Sequence, residues 1–286
     1  MLSSKVSEIM TTNLTTTAIA TPVSEVIERM AAEDVGRIII TDNQVPVGIF
    51  TERDVLKRVI NADIDTKKTS IKEVMTSPIR AVSEETHIVE AFGKMFKGHY
   101  RHLLVRGKRG RIVGIVSMRR ILKLAVELGQ GMSETKTLGS LTTAGINTVE
   151  QSLSVYETID LMVKTGANAV VVTDRGKAEG IFTERDVLKR IATRELDTKK
   201  TTVKEVMTAP LVTMPDTALI GDALAEMYRS DIRNMPVRGR DDQLVGLVSM
   251  SDVLQYARAF DIDEKVRRTW KEVAEYLDNE DQYTPG

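Results

Sequence analysis

Four places in the chain put a hydroxyl side chain three positions before a second polar or charged residue. These pairs are Thr51 and Asp54, Ser117 and Arg120, Thr183 and Asp186, and Ser249 and Asp252. When such a pair opens a helix it can form a capping box, in which the side chains bind free amides of the first turn. The same spacing also brings amides, a hydroxyl and a carboxylate together, which suits a phosphate and the hydroxyls of a ribose. The spacing therefore predicts either helix caps or nucleotide sites.

Arg120 bears on the choice between these two interpretations. A guanidinium near a helix N-terminus opposes the helix dipole and cannot close a capping box, so capping alone does not favour it. It can instead fill a vacant ribose position or reach a phosphate bound by a neighbouring unit. The series therefore predicts three potential sites, in the first, third and fourth pairs.

The pairs recur because the chain is built from a repeated unit. The stretch GIFTERDVLKR occurs at 48–58 and again at 180–190, an offset of 132 residues. A shorter interval of 66 residues separates Gly48, Gly114, Gly180 and Gly246. A fixed period of this kind indicates repeated structural units. We therefore predict four copies of one unit, the first paired with the second and the third with the fourth.

Each unit has the pattern strand, helix, strand, strand, helix. In the first copy, β-branched residues at 14–18 predict a strand, and Ser24 is placed to cap an amphipathic helix. The apolar runs 37–41 and 47–50 predict two strands joined by a turn, and ERDVLKRVI predicts a second helix. Equivalent first helices are predicted near 87–97, 154–164 and 218–229. The predicted class is α/β (α+β), with four small mixed sheets.

The period also predicts the limits of the domains. A unit of about 60 residues buries too little surface to be stable alone, so the units should pack in pairs. The predicted domains are 1–62, 68–128, 134–194 and 200–260. Residues 261–286 remain as a C-terminal helix with Trp270, followed by an acidic tail.

Composition argues against several classes of protein. Hydrophobic residues make up 42% and charged residues 28% of the chain, and no apolar run approaches the roughly 20 residues that cross a bilayer. The first residues lack the apolar core of a secretory signal, so we expect a cytoplasmic protein without a membrane partner. The chain has no Cys and three His, which predicts no metal site. No nucleophile with a base and no GxxxxGK[ST] loop is visible, which predicts no catalytic residues and no enzyme activity.

The repeated unit resembles the cystathionine beta-synthase (CBS) domain. The resemblance rests on the order of strands and helices, on VMT at 74–76 and 206–208, and on the motif G-h-h-[ST]-x-x-D in register in the copies. It implies that two units pack as a Bateman module with clefts for adenosyl ligands, most often AMP, ADP or ATP. The residues it assigns to ribose are Asp54, Asp186 and Asp252, supported by Thr51, Thr183 and Ser249. With four units and Arg120 in the second, the chain is similar in architecture to the regulatory gamma subunit of AMP-activated protein kinase.

The same resemblance assigns the phosphate contacts. The stretch RHLLV at 101–105 is similar to the strand entry from which basic residues reach phosphates across the module. The matching positions hold Arg101, His102 and Arg119 in the second copy, and Arg233, Asn234 and Ser251 in the fourth. The first set would serve the cleft with Asp54, so the pocket near Asp186 is predicted to be less basic and to prefer fewer phosphates. The open alternative is that Arg101 and His102 form a solvated strand end.

Charge is distributed unevenly and supports a rival function. Residues 91–126, the basic stretch, contain ten Lys and Arg and no acid, whereas 223–258 balance five acids against five Arg. Such a stretch could bind the phosphates of a nucleic acid, with affinity that falls steeply as salt is added. Few aromatic residues interleave the cations, which argues against base stacking.

The leading prediction is a non-enzymatic adenine-nucleotide sensor, and the alternative is a nucleic-acid-binding module. The chain shows no effector domain, so the signal should pass to a protein partner or a homo-oligomer. The basic stretch and the helix with Trp270 are the candidate surfaces. AMP, ADP, ATP, S-adenosylmethionine and NAD share the adenosine that the motif would recognise, so the choice among them stays open.

Overall fold

Four small sheets, one from each predicted unit, form the framework of the molecule. The computed structural model describes residues 5–98, 100–127, 136–142, 145–250 and 252–253. Each sheet has three strands in chain order, the first pair parallel and the second antiparallel. The strands are β1 (Thr16–Ala18), β2 (Arg37–Asp42), β3 (Val45–Thr51), β4 (Ala81–Ser83), β5 (His102–Arg106), β6 (Ile112–Ser117), β7 (Thr148–Glu150), β8 (Ala169–Asp174), β9 (Lys177–Thr183), β10 (Met214–Pro215), β11 (Asn234–Arg238) and β12 (Leu244–Ser249). The predicted class, with four mixed sheets, is confirmed.

One helix joins the first two strands of each sheet, and a second helix follows the third strand. The α-helices are α1 (Val23–Ala32), α2 (Glu52–Asp54), α3 (Ile71–Val74), α4 (Ile88–Lys97), α5 (Met118–Glu127), α6 (Val155–Thr165), α7 (Glu184–Asp186), α8 (Val203–Val206) and α9 (Ile220–Arg229). After α2 and α7 the chain continues as π-helices, Val55–Ile60 and Val187–Ile191. The last helix of the fourth unit, and the predicted C-terminal helix with Trp270, lie largely or wholly outside the described residues.

The start of α1 corrects one prediction. The helix begins at Val23, and Pro22 precedes it with φ −60° and ψ 145°, outside the helical region. Ser24 therefore lies in the first turn and is not the cap. Its amide donates instead to the carbonyl of Thr66 at 3.0 Å, so this amide already has a backbone acceptor.

A short segment at the start of each predicted unit packs on the sheet of the neighbouring unit. We call residues 5–11, 70–76, 136–142 and 202–208 the exchanged segments. The amide and carbonyl of Thr76 pair with Ile49 on β3 at 2.8 and 2.9 Å, and Thr208 pairs in the same way with Ile181 on β9. Because VMT at 74–76 and 206–208 belongs to these segments, the motif taken from the sequence to open a unit packs on the unit before it.

The first two exchanged segments cross over in opposite directions. Residues 70–76 run from the second predicted unit onto the first sheet, while residues 5–11 run from the first unit onto the second sheet, where Thr11 pairs with Ile115 at 2.9 and 3.0 Å. The second half of the chain repeats this arrangement, since the amide of Leu138 donates to the carbonyl of Ala218 at 2.8 Å. This exchange pairs the first unit with the second and the third with the fourth, as the two modules require.

The apolar cores join the two modules to each other. One core contains side chains of the first and third units, including Phe50 and Phe182, both fully buried. The other contains side chains of the second and fourth units, including Met95 and Met227. A small third cluster lies between the first two sheets. Both larger cores therefore contain side chains of both modules, which join the modules into one structural unit.

Candidate functional site

The motif of the first unit closes a capping box and receives one further hydrogen bond. One carboxylate oxygen of Asp54, Oδ2, accepts from the Thr51 amide at 2.9 Å and from the Thr51 hydroxyl at 2.7 Å. The other, Oδ1, accepts from the hydroxyl of Thr76 at 3.1 Å. Thr76 lies in an exchanged segment, so this carboxylate connects two units. An ionised carboxylate has about four acceptor positions, which leaves capacity for a ligand hydroxyl.

The third unit reproduces this geometry closely. Asp186 accepts from the amide and hydroxyl of Thr183 at 2.9 and 2.7 Å, and from the hydroxyl of Thr208 at 2.9 Å. The guanidinium of Arg190, which donates to backbone carbonyls of the exchanged segment, lies 3.5 Å from Asp186 Oδ1. Asp54 has the same neighbour, Arg58, at 3.6 Å. Both carboxyl groups are buried, and each has a guanidinium within 4 Å.

The fourth unit shares the first part of this arrangement. Asp252 accepts from the Ser249 amide at 2.7 Å, and the Asp252 amide donates to the Ser249 hydroxyl at 3.2 Å. The position equivalent to Thr76 is residue 143, which lies outside the described residues, as does Ser251. Asp252 is half-buried, so its carboxylate is more accessible than those of Asp54 and Asp186.

Arg120 takes a different role in the second unit. Its amide donates to the hydroxyl of Ser117 at 3.2 Å, so half of the cap is kept. Its guanidinium donates to the carbonyl of Ile9 at 3.2 Å, in the exchanged segment that packs on this sheet. The second unit therefore has a cation bound to backbone where the other three units have a carboxylate.

The predicted phosphate residues meet glutamates that the sequence analysis did not identify. Arg101 donates to Glu184 at 3.0 Å, and Arg53 donates to the same carboxylate at 2.9 Å. Arg233 forms an ion pair with Glu52. Glu52 and Glu184 are only 4% and 5% exposed, whereas the arginine side chains that hold them are 32–39% exposed. Arg101 is therefore held by a buried carboxylate of the other module, and its contact with a phosphate stays a prediction.

Arg119 lies elsewhere in the same charged region. It pairs with Asp231 of the fourth unit, and Asp231 also accepts from Arg185 of the third. The Tyr228 hydroxyl donates to the Arg119 carbonyl at 2.9 Å, and the Arg119 guanidinium lies over the Tyr228 ring. Burial alone would raise the pKa of Asp231, but the hydrogen bonds from Arg185 and Arg119 lower it to about 2. Arg119 therefore connects the second unit to the other module.

His102 begins the inner strand of its sheet, opposite the motif hydroxyl. It pairs with Ser117, just as Arg37 pairs with Thr51 and Asn234 with Ser249 in their own sheets. Burial lowers the pKa of His102 well below its usual value, and the charges of Arg37, Arg101 and Arg233 act in the same direction. Asn234 is buried, and its Oδ1 has no hydrogen-bond partner among the described residues. The strand entries of three units thus converge on one polar region.

A signal for the two glutamates was present in the sequence. Glu52 and Glu184 occupy the same position in the two copies of GIFTERDVLKR, whereas the second and fourth units have Met118 and Met250 there. The sequence alone therefore distinguishes the odd units (first and third) from the even units (second and fourth). Nothing near the motif indicates that these acids contact Arg101 and Arg233.

The pKa of Asp231 predicts a loss of stability in acid. Its folded value of about 2 lies below the ordinary 3.8, so ionised Asp231 stabilises the fold above about pH 4, and this stability is lost as the pH falls to about 2. We expect Asp231→Asn to reduce the pH dependence of the unfolding free energy in this window. Urea titrations at several acidic pH values measure the unfolding free energy and hence its dependence on pH. Asp160→Asn, which removes an exposed pair with Lys164, is the control and should leave the slope unchanged. A parental slope in Asp231→Asn contradicts the assignment.

Neither a candidate metal site nor a membrane-spanning helix is found among the described residues. In the ranges that the structure describes, no group of three or more His, Cys, Asp or Glu is placed to hold a metal ion. Across those same residues, no helix combines the length and apolar character needed to span a bilayer.

Comparison with protein families and curated sequences is consistent with the repeat. A family model described as the CBS domain matches residues 6–61, 71–127, 138–193 and 203–259. The chain is 28% identical over 278 residues to the CBS domain-containing protein CBSCBSPB1 of Arabidopsis thaliana, covering 84% of this chain and 51% of that protein. It is 24% identical over 294 residues to the meiotically up-regulated gene 70 protein of Schizosaccharomyces pombe, and the match covers 80% of this chain and 40% of that protein. The chain thus spans about half of the first relative's length and two fifths of the second's.

Solved structures share the architecture of most of the chain. A protein from Methanocaldococcus jannaschii, a proposed archaeal homologue of g-AMPK, has a TM-score of 0.75 at 16% identity, covering 88% of this chain and 99% of that one. A conserved protein from Pyrococcus horikoshii has a TM-score of 0.59 at 18% identity, and the match covers 89% of this chain and 100% of that one. At such identities the likeness concerns the fold.

Proposed function

Since this chain belongs to the CBS-domain family, with four matched copies of the domain, we propose that it is a non-enzymatic regulatory protein that binds AMP, ADP or ATP. The nucleotide binds in clefts between paired units, and its occupancy is passed to a protein partner or a second copy. The observation that carries this proposal is the repeated geometry at Asp54 and Asp186. In both, the carboxylate belongs to one unit and accepts a hydrogen bond from a threonine in a segment exchanged with the next.

The proposed roles follow the chemistry of each side chain. Asp54, Asp186 and Asp252 accept hydrogen bonds from ribose hydroxyls, and Thr51, Thr183 and Ser249 hold those carboxylates and the helix start in place. The proposed phosphate contacts are Arg101, His102, Arg119 and Arg233. Capping and ligand binding are compatible, because the carboxylates of Asp54 and Asp186 retain acceptor capacity after the cap has formed.

Coupling to a partner would come from the connections between units. A ligand shifts a conformational equilibrium only as far as its affinities for the two conformations differ. A nucleotide bound at Asp54 contacts a carboxylate that already joins two units through Thr76. The first and third units share one core, and so do the second and fourth. A change in one cleft is therefore transmitted to the other module.

Calorimetric titration of the full chain with AMP, ADP, ATP, S-adenosylmethionine and NAD tests this function. We expect saturable binding of at least one of them. Asp54→Asn, Asp186→Asn and Asp252→Asn keep an oxygen for the cap but lose the charge. Since a hydrogen bond to a charged group contributes about 1.5–3 kcal/mol, the affinity of the altered site should fall roughly tenfold or more.

The matched control is Glu157→Gln. Glu157 is the acid of the capping box on Ser154 that begins α6, and it is not part of the motif. This variant should change stability as a cap does and leave nucleotide affinity unchanged. If no adenosyl compound binds the parent, or if the three Asp variants bind as the control does, the carboxylates are helix caps only.

One observation favours the second candidate function, nucleic-acid binding. Arg106, Lys108, Arg109 and Arg111 are all exposed around the turn between β5 and β6. The other basic residues at Arg101, Arg119 and Arg120 are already bound to protein groups. Filter binding with single-stranded and duplex oligonucleotides at two salt concentrations tests this candidate. Affinity that falls steeply with salt, and falls further in Arg109→Ser, supports it.

A further inference from the structure

We propose that Glu52 and Glu184 are specificity-determining residues that limit how many phosphates the ligand carries. Their carboxylates form ion pairs with arginines that would otherwise bind the phosphates of the ligand. The inference rests on the proposed function, because it concerns the phosphate side of the same clefts.

Glu184 is held by two arginines of the other module. This carboxylate belongs to the third unit and is 5% exposed. It accepts from Arg53 of the first unit at 2.9 Å and from Arg101 of the second unit at 3.0 and 3.3 Å. Arg101 is thus bound to an acid of the other module. Any anion that recruits Arg101 has to share it with this carboxylate or displace the carboxylate.

Glu52 repeats the arrangement in the opposite direction. It belongs to the first unit, is 4% exposed, and pairs with Arg233 of the fourth unit. Arg185 of the third unit lies 3.6 Å from it. Each module therefore supplies one glutamate, and both arginines that hold it come from the other module. This reciprocity is absent at the equivalent positions of the second and fourth units, where Met118 and Met250 stand.

The charge state of Glu184 supports competition with an anion. Burial raises the pKa of a carboxyl group, but the nearby charges and hydrogen bonds of Arg101 and Arg53 leave the pKa of Glu184 below its usual value. Glu184 is thus ionised at neutral pH. A buried carboxylate repels a neighbouring phosphate more strongly than an exposed one does, because the interior screens charge less.

The consequence depends on the number of phosphates. A nucleoside has no charge to repel, a monophosphate already carries about −1.5 to −2 at neutral pH, and each further phosphate adds to that charge. The two glutamates should therefore weaken the binding of ATP more than that of ADP, and the binding of ADP more than that of AMP. We therefore expect the parent protein to bind nucleotides with fewer phosphates more tightly, because Glu184 and Glu52 already partly neutralise the charges of Arg101 and Arg233.

Glu184→Gln and Glu52→Gln test the inference by isothermal titration with AMP, ADP and ATP. Gln keeps the size of the side chain and an oxygen that accepts from Arg101 or Arg233, but it carries no charge. We expect the affinity for ATP to rise about tenfold relative to that for AMP in each variant, and further in the double variant. The control Glu33→Gln removes the charge of an exposed pair with Arg29 and should leave the ratio unchanged.

The outcomes separate this inference from the proposed function. If the parent and variants bind none of the three nucleotides, the proposed function fails and the inference with it. If the nucleotides bind but the ratio of ATP to AMP affinity stays at its parental value, the inference alone is overturned. Thermal melts check folding, and where a Gln variant does not fold, Glu184→Met and Glu52→Met provide the residue that the even units carry. A parental ratio in the Met variants overturns the inference as well.

Discussion

Phe182→Ala lowers the free energy of unfolding by about 3–5 kcal/mol, the usual cost of removing a fully buried phenylalanine. Phe182 lies on β9 with 0% of its surface exposed, in the core that the first and third units share. Because side chains of both modules contact this core, we expect one cooperative transition that shifts as a whole. Urea denaturation followed by far-ultraviolet circular dichroism measures both the midpoint and the number of transitions.

Two further variants make the result specific. Phe50→Ala removes the equivalent side chain of the first unit, also fully buried, and should shift the same single transition by a similar amount. Val45→Ala alters a side chain that is 61% exposed and should change stability by no more than about 0.5 kcal/mol. Two separate transitions, of which only one responds to Phe182→Ala, would show that the modules fold independently and that the shared core contributes little.

Gly180→Ala destabilises the protein by about 1–3 kcal/mol through overpacking. A Cβ atom at this position would lie 2.6 Å from Sδ of Met207 and 2.8 Å from the backbone carbonyl of Thr208. The methionine can move, but the carbonyl belongs to the pairing between Ile181 and the exchanged segment. The added methyl group therefore pushes the segment away from β9. Thermal denaturation measures the loss, and hydrogen exchange should be faster at the amides of Ile181 and Thr208 than in the parent.

Gly221→Ala is the matched control for this variant. Gly221 lies in the first turn of α9, and a Cβ atom there would have no neighbour within 4 Å. Alanine in a helix restricts the unfolded chain, so this change should stabilise the protein by about 0.4–1 kcal/mol. If Gly180→Ala behaves like Gly221→Ala, the segment is not tightly packed against β9, and the contact between the two units is weaker than the structure indicates.

Two kinds of connection between the units could carry a signal through the molecule. The exchanged segments connect units within a module, whereas the two larger cores and the contacts of Glu52 and Glu184 connect the modules. The motif carboxylates of Asp54 and Asp186 lie on the first kind of connection, through Thr76 and Thr208. The proposed phosphate residues Arg101 and Arg233 lie on the second kind. In the proposed function, ribose therefore meets residues of the first kind of connection and phosphate meets residues of the second.

Local patterns were enough to predict the elements and the motif. The spacing of apolar residues along 37–41 and 47–50 predicts β2 and β3, which the structure confirms. The hydroxyl and acid three positions apart predict a cap at Thr51, and the structure confirms the hydrogen bonds of that cap. These features depend on neighbours within a few residues, so the sequence contains all the information they need. The role of the same carboxylates in ribose binding stays a prediction.

Other features could not be read in this way because they depend on distant residues. The sequence placed VMT at the opening of a unit, but its pairing with the preceding sheet is set by the path of the chain between units. Glu52 meets Arg233, 181 residues away, only after both modules have folded and packed. What the sequence determined by itself is therefore the repeated unit, its strands and helices, and the spacing of its motif. Which units share a core, and which acid holds which arginine, was decided by tertiary packing, since burial and ion pairing act between surfaces that local sequence does not bring together.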